Sequence, residues 1–591
     1  MAIDPITAEI ISNALNTVAA EMAITVHRTA RSPIANETKD FATAVYDARG
    51  RMITHPQGSP VLLGSCKWTV DAILRDFQDD LRHGDLIVNN DPFSGGSHLG
   101  DMTLAMPILY RDRLVLFPAT RQHQADSGGG GTRPGGFNPR ATEVWQESLR
   151  LTPLRIGEDG RLRDDLADWL MANCRYREWF SGDIQAMIAS CRVAERRIVE
   201  LLDRYGEEAV LGAVDYSLDY AERRFREEIA RWPDGTYTAE TYFDGDGAYT
   251  LDVAIRVAVT VAGDGLTIDF SGSSPQVRGF ANSPLPNTWA WLFIALGSMI
   301  DESIPKNEGI FRPVRIIAPA GSVVNAEEPV ATGYATICPG SDVAEVVTLA
   351  LAQAIPDRVG ATWDKKPKFS LFGTDPRSGR PYLSLNFVAQ LSGDGATRGH
   401  DGWGGLPVSK GGMTYTTVEM SETQYPHLTE EHEYVTDLAG PGQWRGGNGV
   451  RTVQRMIGHE GTASAIVWGN RHPSRGLCGG HVAAPNRVIF RYGSPDEAEI
   501  PGGRALELRL RPGERICTVR GGGGGWGDPL ARDPAAVRED VLDELVSLEA
   551  ARRDYGVVLD PATLEVDAAA TAALRAELGR AREREQALAP S

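Results

Sequence analysis

Residues 86–101 read Leu-Ile-Val-Asn-Asn-Asp-Pro-Phe-Ser-Gly-Gly-Ser-His-Leu-Gly-Asp, a short apolar strand running straight into a polar, glycine-rich loop. The design recurs at residues 114–131. There Leu114-Val115-Leu116-Phe117 leads towards Ala119-Thr120-Arg121-Gln122-His123-Gln124-Ala125-Asp126, Ser127 and the glycines 128–131. A third polar segment, Glu37-Thr38-Lys39-Asp40-Phe41, opens the strand pattern Phe41 to Tyr46. In each case a scaffold strand can hold side chains while the loop leaves them open to a ligand.

Working outward, Asp4-Pro5 marks a helix start, because Asp can cap the first turn and Pro sits where its missing N–H costs nothing. Ile6, Ile10, Leu15, Val18, Met22 and Val26 then recur at roughly helical spacing and predict one long amphipathic helix through His27. Asp47-Ala48-Arg49-Gly50 reads as a turn, Met52-Ile53-Thr54 as a returning strand and Trp68 to Phe77 as a helix. Composition is helical from Asp164 to Arg231, and strand patterns cover Tyr249 to Val261 and Leu266 to Phe270. The tail is helical over Val537 to Leu548 and again over Ala568 to Ala587. The expected fold class is α+β, a β-rich multi-domain core with an N-terminal helix, a helical middle insertion and a helical C-terminal tail. Five regions are expected: 1–160 carrying the site, 161–232 helical, 233–330 β-rich, 331–530 glycine-rich and mixed, and 531–591 helical.

The chain has 591 residues, of which 42% are apolar and 24% charged, so disordered and fibrous classes are excluded. A net charge of −19 repels phosphate backbones and argues against nucleic-acid binding. No basic segment followed by an apolar run opens the sequence, and no apolar stretch approaches about 18 residues. The six cysteines form no C-x-x-C pair. A reduced, cytoplasmic protein with no membrane association is expected.

His98 and Asp101 form an H-x-x-D pair, and His123 adds a second imidazole. Two histidines with one or two carboxylates suit zinc, manganese or iron, because imidazole and hard oxygen together fit such divalent ions. Taken alone this signal is weak, and the same residues read as hydrogen-bonded structural histidines and turn-capping aspartates. Asp126 is a candidate general base, a partner that fixes the tautomer of a histidine ligand, or a cap for the glycines after it. Glu143 and Glu147 could line the same pocket or lie in solvated loops. The glycine loops could offer N–H groups to a phosphate or a developing oxyanion. Gly522-x-Gly524-x-x-Gly527 matches the dinucleotide fingerprint only formally, since the βαβ context is missing; a tight backbone crossing is expected there. There is neither a G-x-x-x-x-G-K-[ST] loop nor a G-x-S-x-G elbow. His400, His427, His432 and His472 are too dispersed to read as a site.

These segments resemble the hydantoinase B family, which takes in B subunits of ATP-dependent hydantoinases, the C-terminal half of 5-oxoprolinase, caprolactamase and the related ketone carboxylase subunits. The resemblance runs from Asp4-Pro5-Ile6 and His27-Arg28 through Ser32-Pro33, Asp40-Phe41 and Asn90-Asp91-Pro92-Phe93 to Gly95–Asp101. It continues through Thr142-Glu143, Gln146-Glu147, Ile304–Gly309, Arg445-Gly446-Gly447 and Gly521–Pro529 to Glu549–Val557. It implies a divalent metal, zinc first with manganese or iron as alternatives, on Asp40, His98, Asp101 and His123. It further implies a hydrolase acting on C–N bonds in cyclic amides of hydantoin, oxoproline or lactam type. ATP would be used by a partner A subunit in a hetero-oligomer, not by this chain. The A subunit would phosphorylate the ring carbonyl oxygen, and this subunit would hydrolyse the activated intermediate. Two alternatives accompany the resemblance: a subunit of an acetone- or acetophenone-type ATP-dependent carboxylase, and a non-catalytic scaffold for the A subunit. The chain departs from the family where Gly100 replaces a common Pro, and where Gln124 replaces the second histidine of His-His-x-Asp.

Overall fold

The computed structural model describes residues 3–54, 57–129, 138–247, 249–365, 368–407, 412–500 and 504–588. The chain is a mixed α+β protein with several sheets and, among the described residues, no barrel. It divides into two compact units, Met1–Ile355 with Lys410–Thr414, and Pro356–Ser409 with Tyr415–Ser591.

The first unit begins with α1 (Pro5–Thr29), capped as its sequence predicts: the Asp4 carboxylate accepts from the Thr7 amide at 2.9 Å. Four of the six residues in the predicted series lie on its buried face, and two do not. Ala8, Ile11, Leu15, Val18, Ala19, Met22 and Val26 are buried, whereas Ile6 is 72% and Ile10 50% exposed. The small residue Ala19 on that face lets the helix lie close on the sheet, where the Thr43 hydroxyl donates to the Ala19 carbonyl at 2.8 Å. A short α2 (Pro33–Asn36) then turns the chain into β1 (Phe41–Asp47).

β1 belongs to an antiparallel sheet of eight strands. The others are β2 (Gln57–Gly58), β3 (Leu86–Asn89), β4 (Asp101–Ala105), β5 (Ile108–Tyr110), β6 (Arg113–His123), β7 (Leu154–Glu158) and β8 (Arg161–Leu162). Their order is β2-β1-β6-β4-β3-β7-β8, with β5 also on β6. Met52 forms only an isolated bridge to Tyr46, so the returning strand is taken by Gln57–Gly58 instead. Every residue of β1 is buried, as in a strand covered on both faces. α3 (Pro60–Phe77) packs against β1, β4 and β6, and the helical region packs against β4 and β6 through α5. That region comprises α4 (Asp164–Ala172), α5 (Arg177–Tyr205) and α6 (Glu207–Ile229). α1 and α5 share one core with the sheet, through Leu15, Met22, Leu104, Ile184, Met187 and Ile198 among others. A second sheet, Gly235–Gly245, Leu251–Ala262, Gly265–Asp269 and Val314–Ile317, completes the unit with the helices Leu285–Met299 and Gly340–Leu351.

The second unit holds a four-stranded and a five-stranded sheet over a core that includes Phe369, Leu371, Tyr382, Met456 and Ile516. The run Gly521–Gly525 threads between other extended segments. The Gly523 amide donates to Gly447 O at 2.9 Å, Gly524 to Thr362 O at 2.9 Å and Gly525 to His481 O at 3.1 Å. A Cβ at Gly523 would stand 1.8 Å from Asp394 O, and one at Gly446 1.9 Å from Gly523 O. The formal dinucleotide match is therefore a backbone crossing. The tail helix expected over Val537 to Leu548 is two helices, Pro534–Leu542 and Leu548–Tyr555. Glu544 adopts a positive φ of 58°, and Ser547 caps the second helix by accepting from the Ala550 amide at 3.0 Å. Arg532, 5% exposed in its side chain, ties this tail to Asp401 and Asp540, each at 2.7 Å. No helix among the described residues is long and apolar enough to cross a membrane.

Candidate metal centre

The loop after β3 is fixed by buried amides before any functional group appears. Asn90 donates to Leu99 O and Leu149 O, both at 2.9 Å, and accepts from the Leu151 amide at 2.7 Å. Asn89 donates to Ser94 O at 2.7 Å, and Arg150 grips both Asp91 oxygens at 2.9 and 3.0 Å. Beneath the loop the fully buried Arg121 guanidinium donates to Thr69 Oγ1 at 2.8 Å and Gly95 O at 3.1 Å, and also to the hydroxyls of Ser65 and Thr103. These braces bring His98 over the first residue of β4, which is Asp101. Asp101 is in register with His123, the last residue of β6. The His123 amide donates to Asp40 O at 3.0 Å, so the start of β1 reaches the same corner of the sheet.

Asp101 Oδ1 lies 3.2 Å from His98 Nε2 and 2.9 Å from His123 Nδ1. Among the described residues, His98, Asp101 and His123 are the one group of three such side chains with ligand atoms all within 4.8 Å of one another. They are 3%, 0% and 7% exposed. Burial alone would raise the Asp101 carboxyl, but the two imidazoles outweigh it and hold the group well below the usual carboxylate range. The donor set fits a divalent ion: ligands about 2.1 Å from a common centre stand roughly 3.0–3.4 Å apart, the scale of both contacts. His98 Nδ1 accepts from the Gly100 amide at 3.0 Å, which leaves the hydrogen of a neutral ring on Nε2. Ligation through Nε2 needs that hydrogen moved to Nδ1 and the Gly100 contact opened. The ring packs directly on Gly100, where a Cβ would collide with His98 Cε1.

The remaining expected residues fall as follows. Asp40 has its backbone at this corner, but its carboxylate is outside the group of three. Asp126 braces the chain before α5. Its Oδ1 accepts from the Gly128 amide at 3.1 Å and its Oδ2 from the amides of Arg175 and Tyr176, the latter at 3.1 Å. Gln124 is fully buried, with its amide nitrogen 3.8 Å from Met187 Sδ on α5. Of the loop amides considered for phosphate, Gly96 donates to Asp91 O at 2.7 Å and Gly128 to Asp126, so neither is open to a ligand. Residues 130 and 131 lie outside the described residues. His427 and His432 are held by Ser421 and Thr452 hydroxyls, each at 3.0 Å. The sequence reading assigned no role to Ser97, Asn90 or Arg121. The first is the most consequential, since its hydroxyl is 2.6 Å from Asp101 Oδ2. Loop 92–95 also walls a cavity of about 800 Å³ with Trp68, lined as well by Asp71, Arg75, Glu327 and Glu328.

Glu143 and Glu147 have separate settings. Glu143 Oε1 accepts from the Gln146 amide group at 3.2 Å. Glu147, 2% exposed, accepts from the backbone amides of Thr332 at 3.0 Å and Gly333 at 2.6 Å. Burial pushes its carboxyl up to about 8, against the opposing pull of those two amides. A carboxyl raised in the folded state contributes stability that is present below about 4.5 and is lost as pH rises through about 8. Glu147→Gln, neutral throughout, is therefore expected to gain on the native chain by about 2–3 kcal/mol as pH is raised from 5 to 8. Chemical denaturation of both proteins at the two pH values checks this, and parallel pH profiles would refute it.

The family model described as hydantoinase B/oxoprolinase matches residues 4–529. The beta subunit of caprolactamase from Pseudomonas jessenii is 34% identical over 582 residues, which cover 97% of this chain and 99% of that one. A protein provisionally named as the B subunit of a D-/L-hydantoinase, from Pseudomonas sp. (strain NS671), is 30% identical over 97% of this chain and 98% of its own length. The crystal structure of ATP-dependent caprolactamase from Pseudomonas jessenii superposes with a TM-score of 0.90 at 33% identity, covering 98% of this chain and all of that one.

Proposed function

The chain belongs to the hydantoinase B/oxoprolinase family, and from that premise we propose that it is the hydrolytic subunit of an ATP-dependent cyclic amide hydrolase. Its partner would be an A-type subunit that binds ATP and phosphorylates the ring carbonyl oxygen of a hydantoin, oxoproline or lactam. The observation that carries the reading is the shared Asp101 oxygen, 3.2 Å from one imidazole and 2.9 Å from the other. His98, Asp101 and His123 would hold one divalent ion, zinc first with manganese or iron as alternatives, and Asp40 would join them from the start of β1. When bound, such an ion lowers the pKa of water from about 15.7 towards 7 and so supplies a nucleophile at neutral pH.

The protein groups do the positioning. Burial of all three side chains keeps bulk water from competing, and the braced loop holds His98 over Asp101. We assign Asp126 to loop positioning rather than proton transfer, because three backbone amides already occupy its carboxylate. In the overall reaction two waters would be consumed. The first adds to the activated carbon, and the ring nitrogen leaves as the amine after taking a proton. The second splits the resulting acyl phosphate into the carboxylate and phosphate.

The test is reconstitution. The chain is co-expressed with its A subunit, supplied with ATP, and assayed for ring opening of hydantoins and lactams beside bicarbonate-dependent carboxylation of ketones. Ring opening that needs both subunits and ATP is the expected result. Product formed only with bicarbonate would reject the hydrolase in favour of the carboxylase.

A further inference from the structure

Asp101 has two carboxylate oxygens in unlike settings. Oδ1 faces both imidazoles, while Oδ2 accepts a 2.6 Å hydrogen bond from the Ser97 hydroxyl. Ser97 and Asp101 are fully buried, so no solvent competes for that bond. It spans a tight turn that is closed on the backbone as well, by the Asp101 amide donating to His98 O at 3.0 Å. A hydroxyl donating to an ionised carboxylate makes a strong, short bond. Its direction fixes the carboxylate torsion, which is otherwise broad for this side chain.

We infer that Ser97 is a positioning residue that commits Asp101 to offering a single oxygen, Oδ1, to the cation. The inference rests on the metal reading above and deepens it. A carboxylate with both oxygens free could rotate or chelate through the pair. One oxygen engaged elsewhere keeps a coordination position open, and an open position distinguishes catalytic from structural sites. Threonine at residue 97 would keep the hydroxyl; alanine would release Oδ2 and leave the torsion to thermal motion.

The experiment uses the full chain stripped of metal, with Zn²⁺ affinity measured by competition against a chromophoric chelator. Ser97→Ala is expected to bind about 10- to 100-fold more weakly than the native chain. Ser97→Thr is expected to stay within a few-fold of it, and all three apo proteins to melt alike. Should the alanine variant not fold, Ser97→Cys takes its place, since it fills the same space with a much weaker donor. Unchanged affinity in the alanine variant, or equal weakening in the threonine variant, would overturn the assignment. If the native chain binds no Zn²⁺, the underlying metal reading falls first, and the two failures are told apart by that control.

Discussion

His98→Ala should purify as a folded protein without a divalent ion, whereas the native chain should carry about one ion per polypeptide. The imidazole supplies one of three convergent donors within 4.8 Å of one another, and no neighbouring donor among the described residues completes a second such set. The fold should survive, because His123 and Ser97 still hold the Asp101 carboxylate. Inductively coupled plasma mass spectrometry on both proteins gives the metal content directly. In the reconstituted enzyme, ring opening should fall on the order of 1,000-fold or more, the scale set by losing a nucleophile supplied at neutral pH. Equal metal content in the two proteins would remove the basis of the proposed chemistry, and a native protein without metal would favour a scaffold.

The second large effect lies at the glycine crossing. Gly523→Ala places a methyl group 1.8 Å from Asp394 O, and the atoms it meets are backbone, not the end of a flexible side chain. That backbone cannot retreat cheaply, because Asp394 donates to Trp403 O and accepts from the Gly447 amide, both at 2.8 Å. The expected loss exceeds about 3 kcal/mol, which would leave the unit containing residue 523 incompletely folded. Gly579→Ala is the matched control. It sits in the helix Ala568–Leu588, where an added methyl group would meet nothing within 4 Å, and should gain about 0.5–1 kcal/mol. Near-ultraviolet circular dichroism of the tryptophans, followed through thermal melts, compares the two. Similar melting of Gly523→Ala and the native chain would contradict the crossing.

Some of this architecture was legible in local chemistry. Asp4-Pro5 announces a capped helix, and the three polar segments after or before apolar strands do meet at one corner of one sheet. What stayed hidden depends on long-range choices. Ile6 and Ile10 extend the apolar series of α1 yet are exposed, while Ala8, Ile11 and Ala19 take the buried positions and Ala19 meets Thr43 of β1. The break between Leu542 and Leu548 rests on a positive φ at Glu544, a residue with no special liking for it. Gln124 follows His123 in sequence, just past the end of β6, and its side chain lies against Met187. Ser97 was invisible as anything but a loop serine until Asp101 was seen with its second oxygen against it.

Because Asp101 faces His123 across neighbouring antiparallel strands, the interatomic spacing of this pair is written in the ladder and not in the 22 positions that separate them along the chain. The hairpin tip at Arg111 and Asp112 can therefore drift, lengthen or shorten over evolutionary time without disturbing the pair. Only a change of parity in the ladder itself would matter, since one step of slippage would turn the carboxylate and the imidazole to opposite sides of the sheet.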